Sequence, residues 1–485
     1  MAGDDEKPQT TMVDDARTID TATEKHVLPD VSAVDYSGAH KKTDPKEIAL
    51  VRKLDRYIMP MLWSMYWLNY LDRNAIALAR LSSLDKDLGL SDVQYQTCVA
   101  ILFVGYIIGT VPSNMFINRT RPSRYMGTVM ALWAIVSALT AVSTNFTGLL
   151  LTRFFLGVTE GPFYPGAVYM LTVFYNRKEV ATRIAILYTG NVLATAFAGL
   201  IAAGIYSGLD GTAGIAGWQW LFILQGVVTF VIAIIGFFVL PDFPSTTKWL
   251  TPEERELAHN RMEMDITQNK GTESTLAGLK QAVRDPLVWC FMFMAHFHLA
   301  ANGFKNFFPS VVSTLGLPEI ETLLLVCPPY FIATIATIFV SWTSGRFNER
   351  TWHITGSKLV AVVGFIVAPA ANTIAGRYIG MIIFCVGTYG VNSLILGWCG
   401  AVCGQTREKK SAAVGMVVGF MNASFIWTPY VWRKVDAPRY VPAMATSAAF
   451  SIATFLVAWL VKFIILRRNK KLRASDDEVT NFFVY

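Results

Sequence analysis

The sequence predicts an all-α membrane protein with about twelve spanning helices arranged as two six-helix bundles, and three observations predict it. Of its 485 residues, 53% are hydrophobic and 16% are charged, and the mean hydropathy is +0.40. Soluble domains are less apolar and carry more charge. Apolar stretches of roughly 20 residues, the length that crosses a ~30 Å hydrocarbon core, recur from Tyr57 to Leu466 between short polar breaks. A single long polar break, from Pro241 to Asp285, divides them into two equal sets. Backbone groups in lipid must be satisfied within the segment itself, so helices are the natural element.

In chain order, residues 1–53 read as a disordered cytosolic tail and residues 54–240 as the first bundle. Its spans are expected near 57–78, 93–117, 124–143, 148–174, 180–208 and 217–240. The first ends in Leu71-Asp72-Arg73, and the second carries Gly105 and Gly109, small residues that let helices approach closely. The third follows a basic break, the fourth is interrupted by Gly157-Val158-Thr159-Glu160-Gly161-Pro162-Phe163-Tyr164-Pro165-Gly166, and the fifth holds Tyr188 and Asn191. The sixth runs into Leu240-Pro241. Residues 241–285 form a linker in which Thr251-Pro252-Glu253-Glu254 supplies a cap residue, a first-turn proline and a glutamate three positions on, so a short helix starts there.

The second bundle, 286–467, has spans expected near 286–312, 320–343, 356–373, 376–400, 409–431 and 441–466, and residues 468–485 form a cytosolic tail. The seventh span meets a break at Asn306-Phe307-Phe308-Pro309, the tenth holds Asn392 and the eleventh Asn422. Basic breaks recur at matching places in the halves, Asn118-Arg119-Thr120-Arg121 and Gly345-Arg346-Phe347-Asn348-Glu349-Arg350, a weak internal repeat.

Orientation follows from the short loops. Arg119, Arg121 and Arg124, then Arg177, Lys178 and Arg183, then Arg346 and Arg350, then Arg407, Lys409 and Lys410 alternate with loops nearly free of basic residues. The positive-inside rule therefore puts both termini in the cytosol, although Arg433, Lys434 and Arg439 fall on the outer side. The same rule accounts for the net charge of +7 without a nucleic-acid partner. The six cysteines sit in or beside apolar segments, where no disulfide is expected; Cys399 and Cys403 lie one turn apart but have no His or Asp beside them to complete a metal site. No nucleophile with a base, no metal cluster and no phosphate loop is present, which argues against an enzyme and against a cofactor.

Charges inside spans cost roughly 2.5–3.5 kcal/mol each at a helix centre, so four need a reason: Asp72 and Arg73 late in the first span, Arg153 and Glu160 in the fourth. A rise of ~1.5 Å per residue puts Asp72 and Arg153 at similar depth, each about 8 Å from the outer edge, and Glu160 near the midplane. Arg153 and Glu160, seven residues apart, share a face; Asp72 and Arg73 point about 100° apart, so one can pair across helices while the other meets a cavity. Two prolines and three glycines around Glu160 break the helix in mid-membrane, which is tolerated only against protein or water. Ionised, the quartet is neutral; with both acids protonated, two arginines remain and attract an anion. Lys305 and Asn302 in the seventh span can extend that site, or Lys305 can snorkel to the interface. Tyr188, Asn191, Asn392 and Asn422 are candidate cavity residues, with interhelical hydrogen bonding as the alternative. His296 and His298 point to different faces and read as packing residues before proton carriers.

From about Asp55 to Arg468 the chain resembles the major facilitator superfamily. Leu71-Asp72-Arg73, Arg153 to Glu160 with the following Gly-x-Phe-Tyr-Pro-Gly, and Leu240-Pro241-Asp242-Phe243-Pro244 are similar to the fungal allantoate permease family, which belongs with the anion:cation symporters. The resemblance implies a twelve-helix fold of two bundles related by pseudo-twofold symmetry. It implies that Asp72 and Glu160 match the family's proton-coupling acids, and that Arg73 and Arg153 match its substrate-binding or pairing arginines. The loop after the second span departs from the superfamily's usual Gly-x-x-x-Asp-Arg-x-Gly-Arg, since its acid is missing; Arg119 and Arg124, with Gly345, Arg346 and Arg350 in the second half, are the candidate gating residues.

Proton-coupled uptake of a small carboxylate, such as a vitamin or ureide, across the plasma membrane is therefore the expected function, with an endomembrane as the second location. A monomer suffices, because this fold needs no partner to form a path. Export by antiport is the alternative; the exporters' usual Gly-Pro pair is absent, because Arg183 to Ser207 has no proline. A non-transporting nutrient sensor is a third reading, but the tails carry no recognisable signalling module.

Overall fold

The structure, a computed structural model, describes residues 44–116, 120–267, 275–347, 349–403 and 407–474, and every regular element among them is helical. The expected tail 1–53 lies outside the described residues up to 43, but its last part does not. Helix α1 spans Pro45–Ala79, about 52 Å at 1.5 Å per residue, so residues 45–53 are helical rather than disordered. Their charges made the stretch look like tail. In the folded chain Leu50, Val51 and Leu54 are buried, while Lys53 pairs with Glu254 at 2.7 Å and Asp55 with Arg183 at 2.6 Å.

The first half continues with α2 (Leu84–Asp87), α3 (Asp92–Phe116), α4 (Pro122–Leu139), α5 (Phe146–Glu160), α6 (Phe163–Phe174), α7 (Arg177–Leu209) and α8 (Gly217–Val239). The expected fourth span is divided at Gly161-Pro162 into α5 and α6. In the linker, α9 (Pro252–Thr267) starts at a reciprocal cap: the Glu254 N–H donates to Thr251 Oγ1 and the Thr251 N–H to Glu254 Oε2. A second linker helix, α10 (Thr275–Arg284), was not legible in the sequence.

The second half comprises α11 (Pro286–Ala301), a 3₁₀ turn at Asn302–Asn306, α12 (Phe308–Ser313), α13 (Glu319–Phe347), α14 (Thr351–Ala370), α15 (Ile374–Tyr389), α16 (Val391–Val402), α17 (Arg407–Asn422), α18 (Ser424–Trp427) and α19 (Val441–Ala474). The 3₁₀ turn and the two residues after it send three aromatic rings different ways: Phe304 against Phe384 at 4.7 Å, Phe307 against Trp432 at 6.2 Å and Phe308 against Tyr330 at 5.2 Å. The expected tenth and eleventh spans are also interrupted, at Gly390 and Ala423. Residues 468–474, expected in a tail, prolong α19.

Among the described residues, ten helical stretches are long and apolar enough to cross a membrane. Outside that set fall α1, whose apolar run is diluted by Asn69, Asp72, Arg73 and Asn74, and the α5–α6 pair, shortened by its break. These are the elements that carry the four membrane-level charges.

Helix pairing repeats in the two halves. In the first, α1 packs on α7, α3 on α5 and α4 on α8; in the second, α11 packs on α17, α13 on α15 and α14 on α19. The halves meet through α7 with α13 and through α3 with α18 and the turn after it. The α3–α5 contact is backbone to backbone: a Cβ added at Gly105 or Gly109 would lie 2.2 Å from the carbonyl oxygens of Phe154 and Val158, and one at Gly157 would lie 2.0 Å from that of Leu102. The reading of Gly105 and Gly109 as packing residues agrees with this.

Candidate functional site: a charged cavity between the halves

Four helical segments turn polar side chains toward one central cavity. Helix α1 contributes Tyr70, Arg73 and Asn74; α7 contributes Tyr188, Asn191 and Thr195; α11 and its 3₁₀ turn contribute Leu299, Asn302 and Lys305; Tyr389 and Asn392 flank the α15–α16 break. Spacings of three and four place each set on one helix face. Six of the eight residues expected to bind substrate, namely Arg73, Tyr188, Asn191, Asn302, Lys305 and Asn392, are thus brought together. Two of them join the halves directly, since Asn392 Nδ2 donates to Tyr188 Oη at 3.2 Å.

Arg73 is the central charge. Its Nε and Nη2 both donate to Glu160 Oε2, at 3.1 and 2.8 Å, and Nη2 also reaches Asn69 Oδ1 at 3.4 Å. Its guanidinium lies 4.9 Å from the ring centres of both Tyr70 and Tyr106. Glu160 ends α5 where the helix breaks, and its second oxygen, Oε1, is buried without a hydrogen-bond partner among the described residues. Across the cavity the Lys305 ammonium stands 4.3 Å from the Phe425 ring, an attraction that needs no carboxylate. Asn302 reaches His298 Nε2 at 3.2 Å.

The expected quartet does not form one group. Asp72 faces the interior of the first half, accepting from Trp133 Nε1 at 3.2 Å, Ser137 Oγ at 3.1 Å and Thr229 Oγ1 at 3.3 Å. Arg153, expected to line the path, is fully buried 5.1 Å from the Phe222 ring, with none of its guanidinium nitrogens hydrogen-bonded among the described residues. The physical reason is angular on α1 and axial on α5. Neighbours on α1 diverge by about 100°, so packing that aims Arg73 at the cavity turns Asp72 toward α4 and α8; Arg153 and Glu160 share a face of α5 but lie about 10 Å apart along its axis, so Glu160 meets Arg73 while Arg153 meets Phe222 of α8.

Asn422 also falls away from the cavity, because its Nδ2 donates back to Val418 O at 2.8 Å within α17. Of the candidate gating residues, Arg119 lies outside the described residues. Arg124 is exposed in the first turn of α4, Gly345 is exposed with open space beside it, Arg346 stacks 5.5 Å over its own helix's Trp342, and Arg350 donates to Ser344 Oγ at 2.7 Å. An acid from beyond α8 reaches the start of α4, where Asp242 Oδ1 accepts from the Ser123 N–H and hydroxyl. His296 is held by the Phe420 carbonyl at 3.0 Å and by Trp427 Nε1 at 3.4 Å, in keeping with packing.

Sequence reading missed Tyr70, Asn74, Thr195 and Tyr389, although Tyr70, Thr195 and Tyr389 sit three or four positions from residues it did select. It also missed Lys358. The ninth span is expected from residue 356, two positions before this lysine; α14 begins at Thr351, so Lys358 lies two turns in, fully buried, its Nζ without a hydrogen-bond partner among the described residues. Buried ionisable groups inside spans mark functional positions more often than not.

Two helical halves with repeated pairing around a polar, charged cavity define a multi-pass membrane transport protein. The family is shown by comparison: the model of the Major Facilitator Superfamily matches residues 62–429, and the chain belongs to that superfamily. It is 31% identical over 440 residues, 88% of this chain and 87% of the relative, to the major facilitator-type transporter hxnP of Emericella nidulans. It is 30% identical to an uncharacterized transporter of Schizosaccharomyces pombe, covering 91% of this chain and 88% of the relative. Among solved structures, a bacterial homolog of the human lysosomal transporter Spinster, inward-facing and unoccupied, superimposes with a TM-score of 0.70 at 16% identity, covering 88% of this chain and 99% of that one. A D-xylose-proton symporter superimposes with a TM-score of 0.65 at 14% identity, over 83% of this chain and 97% of the other. The chain is therefore a secondary transporter for a small molecule rather than an enzyme, and it works in a membrane.

Proposed function

We propose that the protein is a proton-coupled symporter that imports a small organic anion, and that it belongs to the anion:cation symporter group in the fungal allantoate permease family. The observation that carries this reading is the Arg73–Glu160 pair at the wall of a cavity whose other cation, Lys305, has no carboxylate partner among the described residues. While Glu160 is ionised it occupies Arg73. A proton on the free oxygen Oε1 cancels the charge that holds Arg73 and leaves two cations facing the cavity, which is the state an anion seeks. Loss of that proton restores the pair and expels the anion. One pH unit supplies ~1.4 kcal/mol per proton to this cycle, and 100 mV adds ~2.3 kcal/mol per net charge. Asp72, held by three neutral donors, is the second titratable carboxylate and acts inside the first half rather than on the substrate.

Alternating access uses twelve spans, the ten apolar stretches together with α1 and α5–α6, and both termini face the cytosol by the distribution of Lys and Arg. The direct cross-half contacts favour closure at the outer side: Gln96 Nε2 to Trp432 O at 3.1 Å, the Lys434 N–H to Asp92 Oδ2 at 2.7 Å, and Phe103 against Phe425 at 4.6 Å. The plasma membrane is the expected site of action. The test is proton movement in proteoliposomes holding a pH-sensitive dye, with small carboxylates offered at fixed membrane potential. Acid entry with one compound establishes symport and names the substrate. Acidification of the lumen on efflux of a preloaded compound, or silence across the panel from folded protein, refutes uptake by symport.

A further inference from the structure

A second pocket lies on the face that bears the linker, between α10, the start of α11, α17 and α19, lined by Gln281, Arg284, Asp285, Pro286, Lys409 and Arg468. Asp285 caps α11, taking the Leu287 N–H at 3.0 Å, and also accepts from Lys409 Nζ at 2.7 Å and Arg468 Nη2 at 2.9 Å. Burial pushes its carboxyl up, but Arg468, Lys409 and the Leu287 N–H outweigh burial and hold it below the usual range, so the anchor stays ionised. Asp285 thereby fixes two cations, from α17 and α19, at the pocket wall. With Arg284 the lining carries three cations against one carboxylate.

The helix beside the pocket gives an independent indication of depth. Gly278 and Ala282 of α10 are buried, Gly278 against the start of α17 at Glu408 and Lys409. The opposite side shows apolar groups outward: Leu279 is 45% exposed, Val283 44% and Trp289 42%, with Trp289 Nε1 donating to the Val283 carbonyl at 2.8 Å. Lys280 and Arg284 stand one position on from Leu279 and Val283. A row of Leu, Val and Trp with Lys and Arg alongside is the pattern of a helix lying in the membrane interface, apolar row in the acyl boundary and cations at the phosphates.

We propose that this pocket binds the phosphate headgroup of an anionic membrane lipid, with Arg284, Lys409 and Arg468 meeting the phosphate and the Leu279–Val283–Trp289 row meeting the chains. Basic pockets between membrane helices are suited to such headgroups, and here the cations converge on a fixed geometry while the neighbouring surface supplies the acyl contact. Binding there holds α10 to α17 and α19, and so ties the linker to the second half.

The experiment uses the full-length protein in detergent, with native mass spectrometry and thermal shift as readouts. The probes are short-chain phosphatidylinositol 4-phosphate, phosphatidylcholine of equal chain length, and inositol 1,4-bisphosphate as the chainless headgroup. The phosphoinositide is expected to bind and raise the melting temperature, phosphatidylcholine to do neither, and the chainless headgroup to bind at least tenfold more weakly. Arg284→Gln, which leaves the Asp285 anchor intact, is expected to weaken phosphoinositide binding about tenfold, and Leu279→Ser with Val283→Ser to weaken the lipid but not the chainless headgroup. Equal binding of the two lipids, unchanged affinity in Arg284→Gln, or a chainless headgroup as tight as the lipid would each overturn the proposal, the last by making the pocket a site for a soluble anion.

Discussion

Glu160→Gln removes one charge from the centre of the proposed cycle and keeps the shape of the side chain. In the native protein two N–H groups of Arg73 share Glu160 Oε2, at 2.8 and 3.1 Å. Hydrogen bonds to a charged partner are worth about 1.5–3 kcal/mol and neutral ones about 0.5–1.5 kcal/mol, so the swap weakens the hold on Arg73 by roughly 1–3 kcal/mol. An anion competing for that guanidinium gains what the glutamate loses, on the order of 5- to 150-fold in affinity at ~1.4 kcal/mol per tenfold. The variant is therefore expected to bind anion more tightly, exchange it in counterflow, and lose accumulation driven by an acid gradient. Equilibrium binding, counterflow and acid-driven uptake in the same proteoliposomes measure the three effects. A variant that still accumulates substrate on an acid gradient, with unchanged affinity, refutes the assignment of Glu160 as the coupling acid and the competition on which it rests.

Four further outcomes are expected. Arg73→Ala should weaken anion binding at least tenfold, and Arg73→Lys should restore it only in part because a single ammonium cannot reproduce the paired Nε and Nη2 contacts; unchanged saturation kinetics in Arg73→Ala would count against its role. Lys358→Met, which removes a fully buried amine without a hydrogen bond among the described residues, should stabilise the fold by about 1–3 kcal/mol and raise the melting temperature in detergent, whereas a fall would reveal a partner that the amine acquires outside them. Gly157→Val should sharply reduce the yield of folded, monodisperse protein, since even a Cβ would meet the Leu102 carbonyl at 2.0 Å; Gly204→Ala, with open space at its Cβ, should not, and equal yields would contradict the α3–α5 contact. Asp285→Asn should cost about 1–3 kcal/mol at neutral pH. The carboxyl is held low in the folded chain, so its contribution is complete above the unfolded value near ~3.9 and declines only as pH falls below that. Melting temperatures of the two proteins should differ by a constant amount from pH 5 to 8, and a difference that changes across that window would refute the sign.

Hydropathy and helical spacing were enough to reveal much of the molecule. A bilayer admits few backbone solutions, so runs of apolar residues translate directly into helices, and the polar break at 241–285 into a division between halves. The cavity was legible to the same degree. Arg73, Tyr188, Asn191, Asn302, Lys305 and Asn392 are polar residues in mid-span, where burial without a purpose is costly, and the structure gathers all six. The mid-membrane break beside Glu160 was equally plain, because glycine and proline act through the local backbone.

What the sequence could not supply was rotation and distant partnership. Depth along a helix follows from a fixed rise per residue, but the direction a side chain faces depends on how that helix is turned against its neighbours. That angle is set where Gly105, Gly109 and Gly157 bring α3 and α5 into backbone contact and where α4 packs on α8. It decided that Arg73 meets Glu160 while Asp72 meets Trp133, and packing on α8 decided that Arg153, about 10 Å along α5 from Glu160, meets Phe222 instead of the cavity. Partners remote in sequence decided the remainder: Glu254 and Arg183 extend α1 back to Pro45, Asp242 completes the start of α4, and the contact of Gly278 with α17 seats α10. Composition and spacing act within one segment and so determine which helices form and how deep their charges lie. Packing acts between segments, and it alone determined which charges face one another.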